Sequence, residues 1–319
     1  MKLVRKYWFL LGLAGVFVIT LLEPTAAVAR LGVILKQYHG ADAVIFLIFL
    51  FSGMLLDAGQ IRSGISDIPG ALIALGLIFL IAPLLAAVVA LIPLETGVLL
   101  GLFLVAVMPT TLSSGVVMSG AAGGNPAHAL FITITANLLC MFTIPATLPF
   151  LLGLTGVSAS EIAFDRVAVM IKIAFYVLVP LCIGLTVKYK AASYLRSAGP
   201  KLHIINQCLI LCIVWMGVSQ AMPVLEDNWT GMIRAGGLSA LFHLGLLSCA
   251  FVSVYMFSVP RGRMESIIFM GSQKTLPLSI VLQVTLFPQY GQALVVCVLH
   301  HLVSLLIDGF LVGRFGHEK

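Results

Sequence analysis

Two polar, helix-breaking stretches interrupt apolar runs of membrane length, and their side chains could do chemistry. In the first, Met108 to Asn125, Pro109 is followed by the hydroxyls of Thr110, Thr111, Ser113 and Ser114 and then by four glycines. The second, Gly271 to Ser279, sets Gln273, Lys274 and Thr275 just before Pro277. Pro109 has no amide to donate and clashes with the preceding turn, so the backbone unwinds there. Unwound carbonyls and hydroxyls together make a hard-oxygen environment suited to a small cation. Helix amino ends beside them favour an anionic group. Small hydroxyl residues also line ordinary helix–helix contacts in membranes, so the cluster carries the reading and no single hydroxyl does. A backbone break in hydrocarbon persists only where protein or water covers it, and a lysine at that depth is costly and marks a functional position.

The elements that must hold these breaks are membrane helices. The chain has 319 residues, of which 61% are hydrophobic and 9% charged, against roughly 25% charged in ordinary globular domains. Helices of about 17–25 apolar residues are needed to cross a bilayer. On that basis spans are expected near residues 7–22, 43–57, 69–92, 97–121, 126–152, 167–187, 203–222, 236–258, 264–287 and 290–313. The net charge of +6 comes from bases scattered in short loops rather than a tract, which argues against a nucleic-acid partner and for a topological signal. With a cytoplasmic amino end, Lys2, Arg5, Lys6, Arg62, Lys188, Lys190, Arg196, Lys201, Arg261, Arg263, Arg314 and Lys319 fall inside. Arg30, Lys36, Arg166 and Arg234 fall outside. Both termini are therefore expected in the cytoplasm, the protein lying in the plasma (bacterial inner) membrane. Ala27-Val28-Ala29 could pass for a signal-peptide cleavage site, but ten-span parity needs the first helix retained. The six cysteines lie in apolar spans without CxxC spacing and read as small buried hydrophobes.

Shifting the sequence by 164 residues, the interval from Pro109 to Gln273, lays Pro109-Thr110-Thr111 on Gln273-Lys274-Thr275, Ala129-Leu130 on Ala293-Leu294, and Gly53 on Gly217. Five spans per half is odd, so the second copy must be inverted. The expected architecture is an all-α membrane protein of ten helices in two inverted five-helix repeats, residues 1–155 and 165–319, with helices four and nine broken and crossing. Inverted repeats with discontinuous helices at the midplane are a plan of secondary transporters.

With FSGMLLD in span two, PTTLSSGVV…GGN in span four and GSQKTLPLS in span nine, the chain resembles the bile acid:sodium symporter superfamily. Within it, the chain is similar to the SBF-like branch around the seventh member of the human bile-acid carriers and its bacterial relatives. The resemblance covers nearly the whole chain. It implies a panel domain and a core domain, and cotransport of sodium with an organic anion. It also implies a sodium site at Ser113 or Ser114 (one inserted residue shifts the register), Thr133 and Gln273. A second span-five hydroxyl of the family is Ala129 here, and Asn125 matches the asparagine of its GN pair. Bile-acid members carry a glutamate four residues before Gln273; this chain has Phe269 there and Lys274 beside Gln273. The expectation is that Lys274 supplies the positive charge that a second sodium supplies in that branch, leaving at most one sodium.

Thr110, Thr111, Asn125, Lys274 and Thr275 are the expected substrate-binding residues. Lys274 has two open readings, a charge for an anionic solute and a cap on unwound carbonyls of span four. Lys172 reads as a snorkelling side chain. His301, Ser304 and Asp308 share one face of span ten and could form a polar relay, but with Asp308 near the cytoplasmic end they read as packing groups; His243 reads as a lone packing histidine, and Asn137 as a cross-helix hydrogen bonder. No HExxH, GxSxG or phosphate-cradling loop occurs, so no catalytic residue and no cofactor are expected, only sodium or a proton as coupling ion. The expected partners are thus an organic anion, the coupling ion and the lipid bilayer. The function expected is cation-coupled symport by alternating access; the alternative is a non-transporting membrane regulator or scaffold that kept the fold.

Overall fold

The computed structural model describes residues 2–23, 25–56, 67–111, 114–154, 165–226 and 229–316. Among them there is no strand. In chain order the helices are α1 (Lys2–Leu22), α2 (Ala27–Gln37), α3 (Gly40–Leu55), α4 (Ile68–Val89), α5 (Thr96–Val107), α6 (Ser114–Ala121), α7 (Pro126–Gly153), α8 (Arg166–Lys190), α9 (Ala192–Glu226), α10 (Trp229–Met256), α11 (Met264–Ser272), α12 (Leu276–Leu286) and α13 (Gly291–Gly316). Ser113, Asp57, Arg62 and Lys319 lie outside the described residues.

Seven of these segments are long and apolar enough to cross a membrane, counting α11 and α12 as one, and eight if the sharply bent pair α1–α2 is counted as one more. Helices α3 and α5 are shorter apolar helices. The helix α2 is a correction to the sequence reading, which left residues 23–42 as a connection. It bends away from α1 by 109°, and the Ala27-Val28-Ala29 stretch forms its first turn.

Local chemistry explains the starts and breaks. Asp67, Asn125 and Asp165 cap α4, α7 and α8 by accepting from backbone amides of the first turn, a satisfaction of orphan donors that stabilises each helix by about 1 kcal/mol. Pro126 follows its cap at the first helical position, where a missing N–H costs nothing. Two π-helical segments, Leu77–Ile81 in α4 and Ala174–Leu178 in α8, each run into a proline two residues on, Pro83 and Pro180. A proline cannot donate to the ladder, and widening the turn is one way to absorb the loss. The break between α5 and α6 follows Pro109, and the break between α11 and α12 is the extended run Gln273–Thr275.

The helices pack in two groups. One holds α1, α2, α3, α8 and α9; the other holds α4 to α7 and α10 to α13. In the first group α3 and α8 cross almost backbone to backbone. A methyl at Gly53 would fall 2.3 Å from the Leu181 carbonyl oxygen, and one at Gly184 would fall 2.1 Å from that of Leu50. The groups meet where α9 touches α13, α12 touches α3 and α8 touches α7. Nearly all of the α11–α12 run is buried, whereas every other long apolar helix leaves half or more of its length uncovered. The broken helix therefore lies at the centre of its group. At one end of that group Asp67 pairs with Arg263 (3.1 Å) and approaches His128 (3.6 Å), while the buried Glu265 pairs with Arg261 (2.8 Å). These contacts tie α4 and α7 to the start of α11.

Candidate functional site

The two breaks cross and bond to each other. The Thr275 amide donates to the Pro109 carbonyl at 2.9 Å. Beside it, the Gln273 side-chain oxygen accepts from the Thr111 hydroxyl at 2.7 Å and from the Ser114 hydroxyl at 3.2 Å, the two hydroxyls lying 2.9 Å apart. Gly115 makes this approach possible: a methyl there would fall 3.0 Å from the Gln273 side-chain oxygen and 2.9 Å from Met270 Sδ. Three neutral oxygens thus converge at one point. Hydroxyl hydrogens rotate to suit their surroundings, so all three can turn lone pairs toward a hard monovalent cation.

Lys274, buried at the same level, gives its ammonium to three backbone carbonyls: Ile78 at 2.9 Å, Ala106 at 3.0 Å and Met108 at 3.0 Å. Each acceptor is an orphan for a stated reason. In the π segment of α4 the Ala82 amide bonds back to Leu77, and the next residue, Pro83, has no amide, so nothing in the ladder reaches Ile78. Helix α5 ends at Val107, which leaves Ala106 and Met108 without amides one turn on. An ammonium has three donors, and all three are used here. The arrangement is the carbonyl cap that the sequence left open as one of two readings, with the side-chain nitrogen seated in a cage of carbonyl oxygens.

The amide nitrogen of Gln273 faces the other way. It donates to Asp308 Oδ2 at 2.8 Å and contacts Met118 Sδ at 3.1 Å. The second carboxylate oxygen of Asp308 lies 2.9 Å from His243 Nε2. Both side chains are completely buried. Two expectations are corrected here. His243 is not a lone packing histidine, and Asp308 is joined to the crossover instead of standing apart near a helix end. His243 and Asp308 are 65 residues apart, so no local spacing links them; the available signal was a carboxylate in the middle of an apolar run.

Between the two helix groups lies a cavity of about 60 Å³, reaching from Thr111, Ser114, Asn137, Thr275 and His301 to Ser52, Asn206 and Gln207. That is room for a few waters. Among the described residues, Asn206 Oδ1, Gln207 Oε1 and His301 Nδ1 are buried without a hydrogen-bond partner. Asn206 donates to Ser52 at 3.2 Å. Orphaned buried polar atoms are rare in folded proteins and mark positions where water or a ligand completes the bonding. The sequence reading named the crossover side of this cavity and missed Ser52, Asn206 and Gln207, whose signal was polarity inside spans two and seven.

Thr110, Thr111, Ser114, Gln273, Lys274 and Thr275 come together at the crossover, with Thr110 fully buried. Thr133 donates its hydroxyl to the Ala129 carbonyl at 2.8 Å within α7, and Asn137 ties Thr133 to the Thr110 carbonyl through its amide, at 2.9 and 3.4 Å. Asn125 stands at the start of α7. Its side-chain oxygen accepts from the Ala127 and His128 amides, and its backbone bonds to Gly262 and Ser266. The six cysteines are free.

Comparison with known proteins finds relatives along nearly the whole chain. The profile of the SBF-like CPA transporter family matches residues 7–317. A chloroplastic protein of Arabidopsis thaliana, described as a probable sodium/metabolite cotransporter, is 30% identical over 89% of this chain and 67% of its own length. Sodium/bile acid cotransporter 7-A of Xenopus laevis is 24% identical over 97% of this chain and 91% of its own. The zebrafish (Danio rerio) sodium/bile acid cotransporter 7 is 25% identical over 99% and 86%.

Proposed function

Because the chain belongs to the SBF-like CPA transporter family, and is thus an integral membrane transporter rather than an enzyme, we propose that it is a secondary-active symporter. A monovalent cation, sodium, binds at Gln273, Thr111 and Ser114, with Ser113 and Thr133 as further oxygens, and an organic anion enters the adjoining cavity. The relatives' names support sodium as the coupling ion. The observation that carries the reading is the convergence of three neutral side-chain oxygens from two crossed, broken helices next to a polar cavity between two helix groups. Lys274 in its carbonyl cage stands where a second cation would, so one sodium suffices. The amino ends of α6 and α12, beside Ser114 and Thr275, attract the anion.

The topology that goes with this function is ten spans in two inverted halves, residues 1–155 and 165–319, with both termini cytoplasmic. The α1–α2 bend and the short α3 and α5 are accommodated as tilted or partial crossings. Alternating access then moves the group containing the crossover against the group of α1, α2, α3, α8 and α9, opening the small cavity to one side at a time. One sodium entering with a monovalent anion carries no net charge, so the sodium concentration gradient, and not the membrane potential, drives accumulation of such a solute. Uptake into proteoliposomes tests the reading. A solute accumulated under an inward sodium gradient supports it, and accumulation indifferent to both sodium and pH gradients refutes it.

A further inference from the structure

The sodium site proposed above has lost the carboxylate that its resemblance leads one to expect, because position 269 is phenylalanine. Adding the Lys274 ammonium nearby would leave the crossover repelling any cation. We infer that Asp308 on α13 supplies the missing fixed negative charge, acting on the cation through the side-chain amide of Gln273.

Four observations support this. The carboxylate is completely buried, at a position eight residues from the end of α13, which puts it about 12 Å inside the helix end at 1.5 Å per residue. One oxygen accepts from Gln273 Nε2 at 2.8 Å, while the opposite atom of the same amide is the acceptor of Thr111 and Ser114. The amide is thereby oriented with its oxygen toward the cation position and its nitrogen toward the carboxylate; the reverse orientation would set an oxygen against an oxygen. The other carboxylate oxygen accepts from His243 Nε2 at 2.9 Å. His243 Nδ1 is buried with no partner, so the ring fits as the neutral tautomer that donates from Nε2, and the pair keeps one net negative charge. The other ionisable groups close to the pair are His300, whose ring centroid lies 5.7 Å from that of His243, His301 on the same helix, and Lys274. A Lys274 ammonium bonded to backbone carbonyls and an Asp308 carboxylate bonded to Gln273 and His243 offset each other in the charge count of the core before the cation arrives. Asp308 is a positioning residue: it fixes the Gln273 amide and supplies charge about 6 Å from the cation, a separation at which loss of a unit charge in a medium of effective dielectric near 20 weakens binding about 100-fold.

The inference rests on the sodium reading, and the test separates the two. Sodium is titrated calorimetrically into the purified full-length chain in detergent. Wild type is expected to bind sodium, Asp308→Asn to bind it about 100-fold more weakly, and Asp308→Glu to recover most of the affinity. A structural role alone would not distinguish the last two by charge. A wild-type chain that binds no sodium overturns the sodium reading and this inference with it. Wild-type binding matched by Asp308→Asn overturns this inference alone. Should Asp308→Asn fail to fold, the sodium-induced infrared difference spectrum of the wild-type chain decides: a shifted carboxylate stretching band supports the inference, and amide bands without it overturn it.

Discussion

Removing the Lys274 ammonium should convert its carbonyl cage into a second cation site. Lys274→Ala deletes three hydrogen bonds at 2.9–3.0 Å to Ile78, Ala106 and Met108 and leaves three backbone oxygens without donors. Hydrogen bonds from a charged donor contribute about 1.5–3 kcal/mol each, and the gross loss is offset by no longer burying an ammonium, itself a cost of several kcal/mol. The expected net destabilisation is about 2–4 kcal/mol. The orphaned oxygens come from two fixed causes, the Pro83 gap in α4 and the end of α5 at Val107, so they cannot rejoin a helix ladder. A cation small enough to sit among them should restore part of the loss. At ten times its dissociation constant a ligand stabilises by about 1.4 kcal/mol, which corresponds to a rise in melting temperature of roughly 3–6 °C. The assay is thermal unfolding in detergent with sodium, potassium or choline chloride at equal ionic strength. Lys274→Ala should melt well below wild type in choline and recover more in sodium than wild type gains. A variant as stable as wild type in choline, or one whose melting is indifferent to the cation, would refute the account of Lys274 as a seated cation.

Three further outcomes follow from particular contacts. Gly184→Leu should abolish folding or membrane insertion of a stable protein, because even a methyl there falls 2.1 Å from a backbone oxygen of α3; size-exclusion profiles of the detergent-solubilised chain check this. Asp67→Ala removes the α4 cap and the partner of Arg263 and should cost about 1–2 kcal/mol, read as a modest fall in melting temperature with sodium binding unchanged. Asn206→Ala removes a cavity-lining amide whose nitrogen donates to Ser52, and should weaken solute uptake about tenfold while leaving stability within about 1 kcal/mol of wild type.

The helix breaks were legible because proline, glycine and polar side chains stand out against an apolar run: Pro109 and Gln273–Thr275 mark the ends of α5 and α11 as the structure has them. The same contrast hid α2, since Ala27–Gln37 is shorter than a crossing and carries Arg30 and Lys36, so a criterion built on bilayer thickness passed over it. The π segment at Leu77–Ile81 is invisible to hydropathy, yet it prepares one of the three acceptors of Lys274; Pro83 was its only trace. Asp308 shows a different limit. Helical spacing placed it on one face with His301 and Ser304, which the structure respects, but the three stand at different depths. His301 lines the cavity, Ser304 bonds back to the His301 carbonyl at 3.0 Å, and Asp308 meets Gln273 and His243. Which neighbour each group reaches is decided by the packing of α10, α11 and α13, and periodicity along one helix holds no record of it.

The central claim is that the crossover binds one sodium because Lys274 already occupies the place of another cation. Calorimetric titration of sodium into the wild-type chain, with the number of sites fitted against the concentration of folded protein, tests it most directly. The account predicts one sodium per chain; two, or none, would contradict it.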